Sequence, residues 1–150
     1  MIETGYEQDF YAWLMTQAAH LRAKAWDALD IDRLVEEIED LGNEQRHAVA
    51  SHLRSLLLHL LNWAYQPERR GESWRHGINN ARAEIDGRLT ISPSLRSQLP
   101  TFLGWAYPKA QRAAADETGL PLAIFPETCP WSLEQLLDED FLPKQCPRGE

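Results

Sequence analysis

Cysteine is scarce in this 150-residue chain: it occurs at Cys129 and Cys146 alone. Two residues do not make a disulfide framework, and their spacing lacks the paired CxxC of a zinc site. Both are read as free thiols in a reducing compartment, and a cytoplasmic location is the default expectation. Long apolar runs are absent too. The stretch 56–61 is interrupted by His59 and is far too short to span a bilayer. The opening MIETGYEQDF carries acidic residues where a secretory leader would be basic, and no apolar segment follows it. No membrane partner is expected. Positive charge is in deficit, with 15 Lys and Arg against 23 Asp and Glu, a formal net of −8. That balance argues against a general nucleic-acid binder. There is no internal repeat, no low-complexity tract and no alternation worth reading as a strand. Nor is there a GxSxG turn, an HExxH pair or a Gly-rich phosphate cradle.

What the chain does have is helical period. From Asp30 to Tyr65 there is no proline, and apolar residues fall at Ile31, Leu34, Val35, Ile38 and Leu41. They resume at Val49, Leu53, Leu56, Leu57, Leu60, Leu61 and Ala64, in steps of three and four. Asp30 can cap the first turn, and Asp32 suits the positive end of the dipole. Gly42 is the weak point. One uninterrupted helix over about 31–66 is expected, because residues 43–46 carry the period into Val49. Such a helix is about 50 Å long, so the rest of the chain is expected to wrap around it.

An earlier helix is expected over 6–26, with Phe10, Trp13, Leu14, Gln17, Ala18, Leu21 and Ala25 on one face, paired with the long helix as an antiparallel hairpin. Pro67 should stop the long helix at Gln66. Ser73 reads as the cap of a helix over 74–89, and 94–99 as a single turn. Pro100 suits the first turn of a helix running to about Thr118, in which Pro108 predicts a kink or break. Gly119 reads as its C-cap, 120–130 as ordered but irregular, and Ser132 with Gln135 as a capping box for 133–137. Residues 143–150 lack a pattern to hold them down. The expectation is a single all-α domain, compact and multi-helical around one long helix.

Charge runs in blocks. Residues 27–44 hold eight acids and one base, a net of −7; residues 46–112 hold ten bases and four acids, a net of +6; residues 113–150 hold eight acids and two bases, a net of −6. The blocks can pair internally, form a complementary protein interface, or contact a phosphate backbone, for which Arg69, Arg70, Arg75 and Arg82 are the place. Two groups of residues are candidates for function. The first is a cleft of Glu37, Glu44, His52 and His59, with Trp74 and Arg75 beside it. Glu44 and His47 have ExxH spacing, but a bundle di-metal site needs a second copy on a facing helix and none exists. No metal and no cofactor are expected. Ser51 and His52 are adjacent on a helix and point different ways, which is poor geometry for activating a hydroxyl. Cys129 is either a weak candidate nucleophile or a small buried side chain. The second candidate is a corner, Trp63, Tyr65, Arg69, Arg70, Trp74 and Arg75, where aromatics and arginines meet. It reads either as a recognition surface or as a packed structural corner.

Several stretches carry a family resemblance: YEQDFYAWL (6–14), DIDRLVEEIEDLG (30–42), LLLHLLNWAYQPERR (56–70) followed by SWR (73–75), ETGLP (117–121) and FPETCPWSLEQLLD (125–138). In these stretches and their order the chain resembles a bacterial family called domain of unknown function 29. The resemblance implies a compact, entirely helical domain and carries no activity, cofactor or catalytic residue with it. The leading functional expectation is a small protein-interaction or regulatory domain with a protein partner, itself as a homodimer included. The alternatives are an enzyme with a His/Glu/Arg-lined cleft, metal-dependent or not, and a nucleic-acid-associated regulator of toxin–antitoxin type.

Overall fold

The structure, a computed structural model, describes residues 5–145. Among them the chain is all-α, with helices α1 (Phe10–Arg22), α2 (Ile31–Tyr65), α3 (Glu72–Ile91), α4 (Leu99–Thr118) and α5 (Leu133–Leu137). Four 3₁₀ segments punctuate them, at Trp26–Ala28, Pro67–Arg69, Pro93–Gln98 and Leu122–Ile124. Helix α2 runs through Gly42 without interruption, and a Cβ there would meet nothing within 4 Å. The residues up to Gly42 form one compact unit and those from Asn43 a second.

In the first unit, α1 is shorter than the expected 6–26. It begins after Asp9, whose side chain accepts from the Ala12 amide at 2.9 Å. It ends where Lys24 takes a left-handed conformation, φ 56°. The Lys24 amide donates to the Leu21 carbonyl and the Ala25 amide to that of His20, the paired bonds of a Schellman motif. This ending was not legible because a lysine, not a glycine, occupies the left-handed position. Inside the unit, Trp13 and Gln17 are buried. The Gln17 side chain accepts from the Asp30 amide at 2.8 Å, and the Asp30 carbonyl takes the first bond of α2, from the Leu34 amide.

The second unit holds the apolar core. Val49, Leu53, Leu56, Leu57, Leu60, Leu61 and Ala64 of α2 are buried with Ile78, Ile85, Leu89, Phe102, Ala106, Ala110, Phe125 and Leu136. Full burial of one large aliphatic side chain contributes about 1.5–3 kcal/mol, so this cluster dominates the unit's stability. Helix α3 starts at Glu72 behind Gly71, with no side-chain cap, so Ser73 lies in its first turn and is not the cap. Helix α4 continues through Pro108, which removes the break but leaves one backbone amide absent from the ladder. Gly119, φ 72°, ends α4, and the capping box of Ser132 and Gln135 opens α5. The loosely held tail expected from 143 begins at a buried Pro143. Residues 146–150, Cys146 among them, lie outside the described residues.

Polar side chains join the second unit's helices at their ends. Buried Asn62 donates to the Glu117 carboxylate at 2.7 Å, and Gln66 donates to the Thr118 carbonyl at 3.2 Å, fastening the end of α2 to that of α4. Arg82, 5% exposed, donates from Nε to the Leu136 carbonyl at 2.8 Å and from Nη2 to that of Gln135 at 3.4 Å. It thereby satisfies the Leu136 carbonyl and adds a second donor to that of Gln135, which also accepts from the Asp138 amide, at the end of α5, where a cation suits the dipole. Burial lowers its pKa and the nearby Asp138 carboxylate opposes that shift.

Candidate functional sites

The aromatic and arginine corner turns largely inward. Pro67 ends α2, and the chain reverses through a 3₁₀ turn into α3. Arg70 folds back so that its Nε donates to the Trp63 carbonyl at 2.7 Å while its guanidinium lies over the Trp63 ring, 5.2 Å from the centroid. Tyr65, 3% exposed, packs its ring 4.7 Å from that of Phe125. Trp63 and Trp74 are half-buried, and only Arg69 and Arg75 of the six are exposed. Trp63, Tyr65 and Arg70 of the corner are therefore occupied in holding the end of α2, the turn after it and the 120–130 segment.

The Glu and His candidates are dispersed. Glu37 belongs to the first unit, where its carboxylate accepts from the Tyr6 hydroxyl and holds that phenol's pKa above its ordinary value. Glu44, His52 and His59 belong to the second. Glu44 is exposed. His52 Nε2 lies 3.7 Å from the Glu84 carboxylate. His59 is half-buried and its Nε2 would stand 2.8 Å from a Cβ placed on Gly77. Burial lowers the His59 pKa, the Glu117 carboxylate opposing it, and Nδ1 is buried without a hydrogen-bond partner. Ser51 does meet a histidine, but it is His47 one turn earlier, at 3.4 Å from Nε2. Among the described residues no group of three or more His, Cys, Asp and Glu side chains is placed to hold a metal ion. Cys129 is half-buried against the Trp131 carbonyl, and burial pushes its thiol pKa up, which disfavours the nucleophilic thiolate.

Two of the surface hollows bear on these candidates. The larger, about 650 Å³, lies between α3 and the segment after α5. Arg75, Asn79, Arg82 and Asp86 line one side, and Leu137, Glu139, Asp140 and Leu142 the other. Of the arginines singled out from sequence, Arg75 and Arg82 reach it, and none of the Glu and His candidates does. The smaller, about 290 Å³, belongs to the first unit and is lined by Tyr6, Trp13, Gln17, Asp30 and Arg33 among others.

The feature that periodicity alone misjudged is the first half of α2. Its apolar positions continue the stripe that is core from Val49 onward, and the chain was expected to wrap around both halves. Instead Ile31, Val35, Ile38 and Leu41 are 46% to 67% exposed. Phe10, Tyr11, Met15 and Leu21 of α1, and Trp26 after it, join them, so nine large apolar side chains of this unit are 44% to 71% exposed. Scattered single apolar residues on a surface are ordinary, but this density on two helices is not. Beyond residue 42, only Ile91 and Leu122 are comparably exposed among the described residues.

Among the described residues the fold is entirely helical, and Arg70, Arg82 and Arg88 are engaged with groups of the chain itself. The domain of unknown function DUF29 is the family whose model matches residues 5–142. The chain belongs to that family. No curated protein and no solved structure matches the chain. Among the described residues no helix is long and apolar enough to cross a membrane.

Proposed function

We propose that this chain is a protein-interaction domain that engages its partner through the apolar surface of α1 and the first half of α2. The observation that carries the reading is the exposure of nine large apolar side chains within one unit of about forty residues. A unit of that size has too little interior to cover both faces of two amphipathic helices, and a partner can supply the missing cover. Helix-in-groove recognition uses anchors at this i, i+4, i+7 spacing. The enzyme alternative draws less support, since the Glu and His candidates are dispersed and the 650 Å³ cleft is lined by other residues. A nucleic-acid role is weakened because Arg46, Arg70, Arg82 and Arg88 of the basic block are engaged with groups of the chain itself.

The test is a photo-crosslinking residue at position 38, with the same residue at exposed position 91 as the control, alongside binding of an apolar dye. A partner captured at 38 and not at 91, together with dye binding that Val35→Glu and Ile38→Glu reduce severalfold, is the expected result. Equal labelling at both positions and no dye binding would remove the reading.

A further inference from the structure

The exposed stripe of α2 is accompanied by a second stripe one residue on. Ile31, Val35 and Ile38 share one helix face, and Asp32, Glu36 and Glu39 repeat the same i, i+4, i+7 spacing immediately beside it. All six are exposed. Among the described residues no basic side chain forms an ion pair with the three acids. The unit up to Gly42 carries ten acids and three bases, a net of −7. Seam-forming apolar residues flanked by charges of one sign are the arrangement by which paired helices choose partner and orientation.

From this we infer that the occupant of the surface is an amphipathic helix whose apolar seam is flanked by Lys or Arg, an inference that rests on the interaction reading above. The sign of the charge decides among occupants. An antiparallel two-fold pairing of two copies sets the row Asp32, Glu36 and Glu39 against its own counterpart, and like charges face to face oppose association. Anionic lipid and nucleic acid meet the row with the same sign and are repelled. A basic amphipathic helix covers the apolar stripe and neutralises the acids at once. Because the acids lie at the rim, they contribute mainly to association rate and partner choice and are screened by salt, while the apolar seam supplies the affinity.

The experiment uses the full chain and two synthetic helical peptides of 21 residues. Both carry Leu at i, i+3, i+4 and i+7; one has Lys at the flanking positions and the other Glu. Calorimetric titration is expected to show the Lys peptide binding at least tenfold tighter than the Glu peptide, and weakening severalfold between 50 and 300 mM salt. The triple substitution Asp32→Lys, Glu36→Lys, Glu39→Lys should reverse the preference. The triple Asp116→Lys, Glu127→Lys, Glu134→Lys, an equal charge change on exposed residues of the second unit, should leave it in place. If both triples weaken binding alike, the attraction is to net charge and the inference fails. If the two peptides bind equally, and Ile38→Glu abolishes both, the apolar surface is an interaction site but its partner is not selected by charge. A concentration-dependent dimer that Val35→Glu dissociates would make a second copy the occupant and overturn the basic helix while keeping the interaction reading. Neither peptide bound, no dimer and no dye binding would remove both.

Discussion

Two glycines on one helix show how far a single side chain's consequences depend on its neighbours. At Gly77 an added Cβ would stand 2.8 Å from His59 Nε2 and 3.1 Å from two ring carbons, whereas at Gly87 it would meet nothing within 4 Å. Gly77→Ala forces a half-buried ring aside and should cost about 1–2 kcal/mol. Gly87→Ala only removes unfolded-state freedom and should stabilise by about 0.5–1 kcal/mol. Urea unfolding of the two variants should therefore shift in opposite directions. The sequence marks both positions alike, as low propensity inside a helix, because nothing local records that His59 packs over one of them. His59 also carries a pH signature. Burial lowers its folded-state pKa below the ordinary 6.5, with Glu117 opposing, so the unfolded chain binds a proton more readily. Its contribution to stability is complete above the unfolded pKa and is lost as the pH falls through the folded one. Unfolding midpoints at pH 7.5 and 5.5 should differ less in His59→Leu than in the parent chain.

At the scale of the element, legibility follows whether a boundary is made by side-chain identity or by tertiary context. Pro67 at the end of α2, Gly119 at φ 72° after α4 and the box of Ser132 with Gln135 are chemical signals, and each stands where its chemistry predicts. Ser132→Ala should loosen α5 and cost about 1 kcal/mol. The end of α1 is different. Lys24 occupies a left-handed position without being glycine, and no local signal announces it, so the periodic pattern overran the true boundary into Trp26. The same position offers a gain: Lys24→Gly relieves the strained backbone and should stabilise by about 1 kcal/mol, read as a higher unfolding midpoint for the helices of the first unit. Ser73 fails in the other direction. It is a good cap residue, but the start of α3 is set by the corner in which Arg70 grips the Trp63 carbonyl, and the helix begins one residue before Ser73.

On the scale of the molecule, hydrophobic period names the residues able to be buried and is silent on what buries them. In α2 the stripe is continuous in sequence but not in environment: Val49, Leu53, Leu56, Leu57, Leu60 and Leu61 have no exposed surface, while Ile31, Val35, Ile38 and Leu41 are largely open. The candidate corner was legible as a cluster and not as a site, because its packing of Tyr65 on Phe125 depends on a residue sixty positions away. One helix with two environments should not exchange its amides uniformly. Opening of the second half disrupts the core and approaches the cost of global unfolding; opening of the first half exposes little more than is already exposed. Native-state hydrogen exchange should therefore show residues 31–41 exchanging at least a hundredfold faster than residues 53–65. Fast exchange across the entire helix would mean that the core around Leu56 and Leu60 does not hold it. Uniformly slow exchange would mean that the first half is already covered, in which case its rate should depend on protein concentration. If the surface serves a partner, adding the Lys-flanked peptide should slow exchange over 31–41 and leave 53–65 unchanged, because a ligand protects only against the openings that release it.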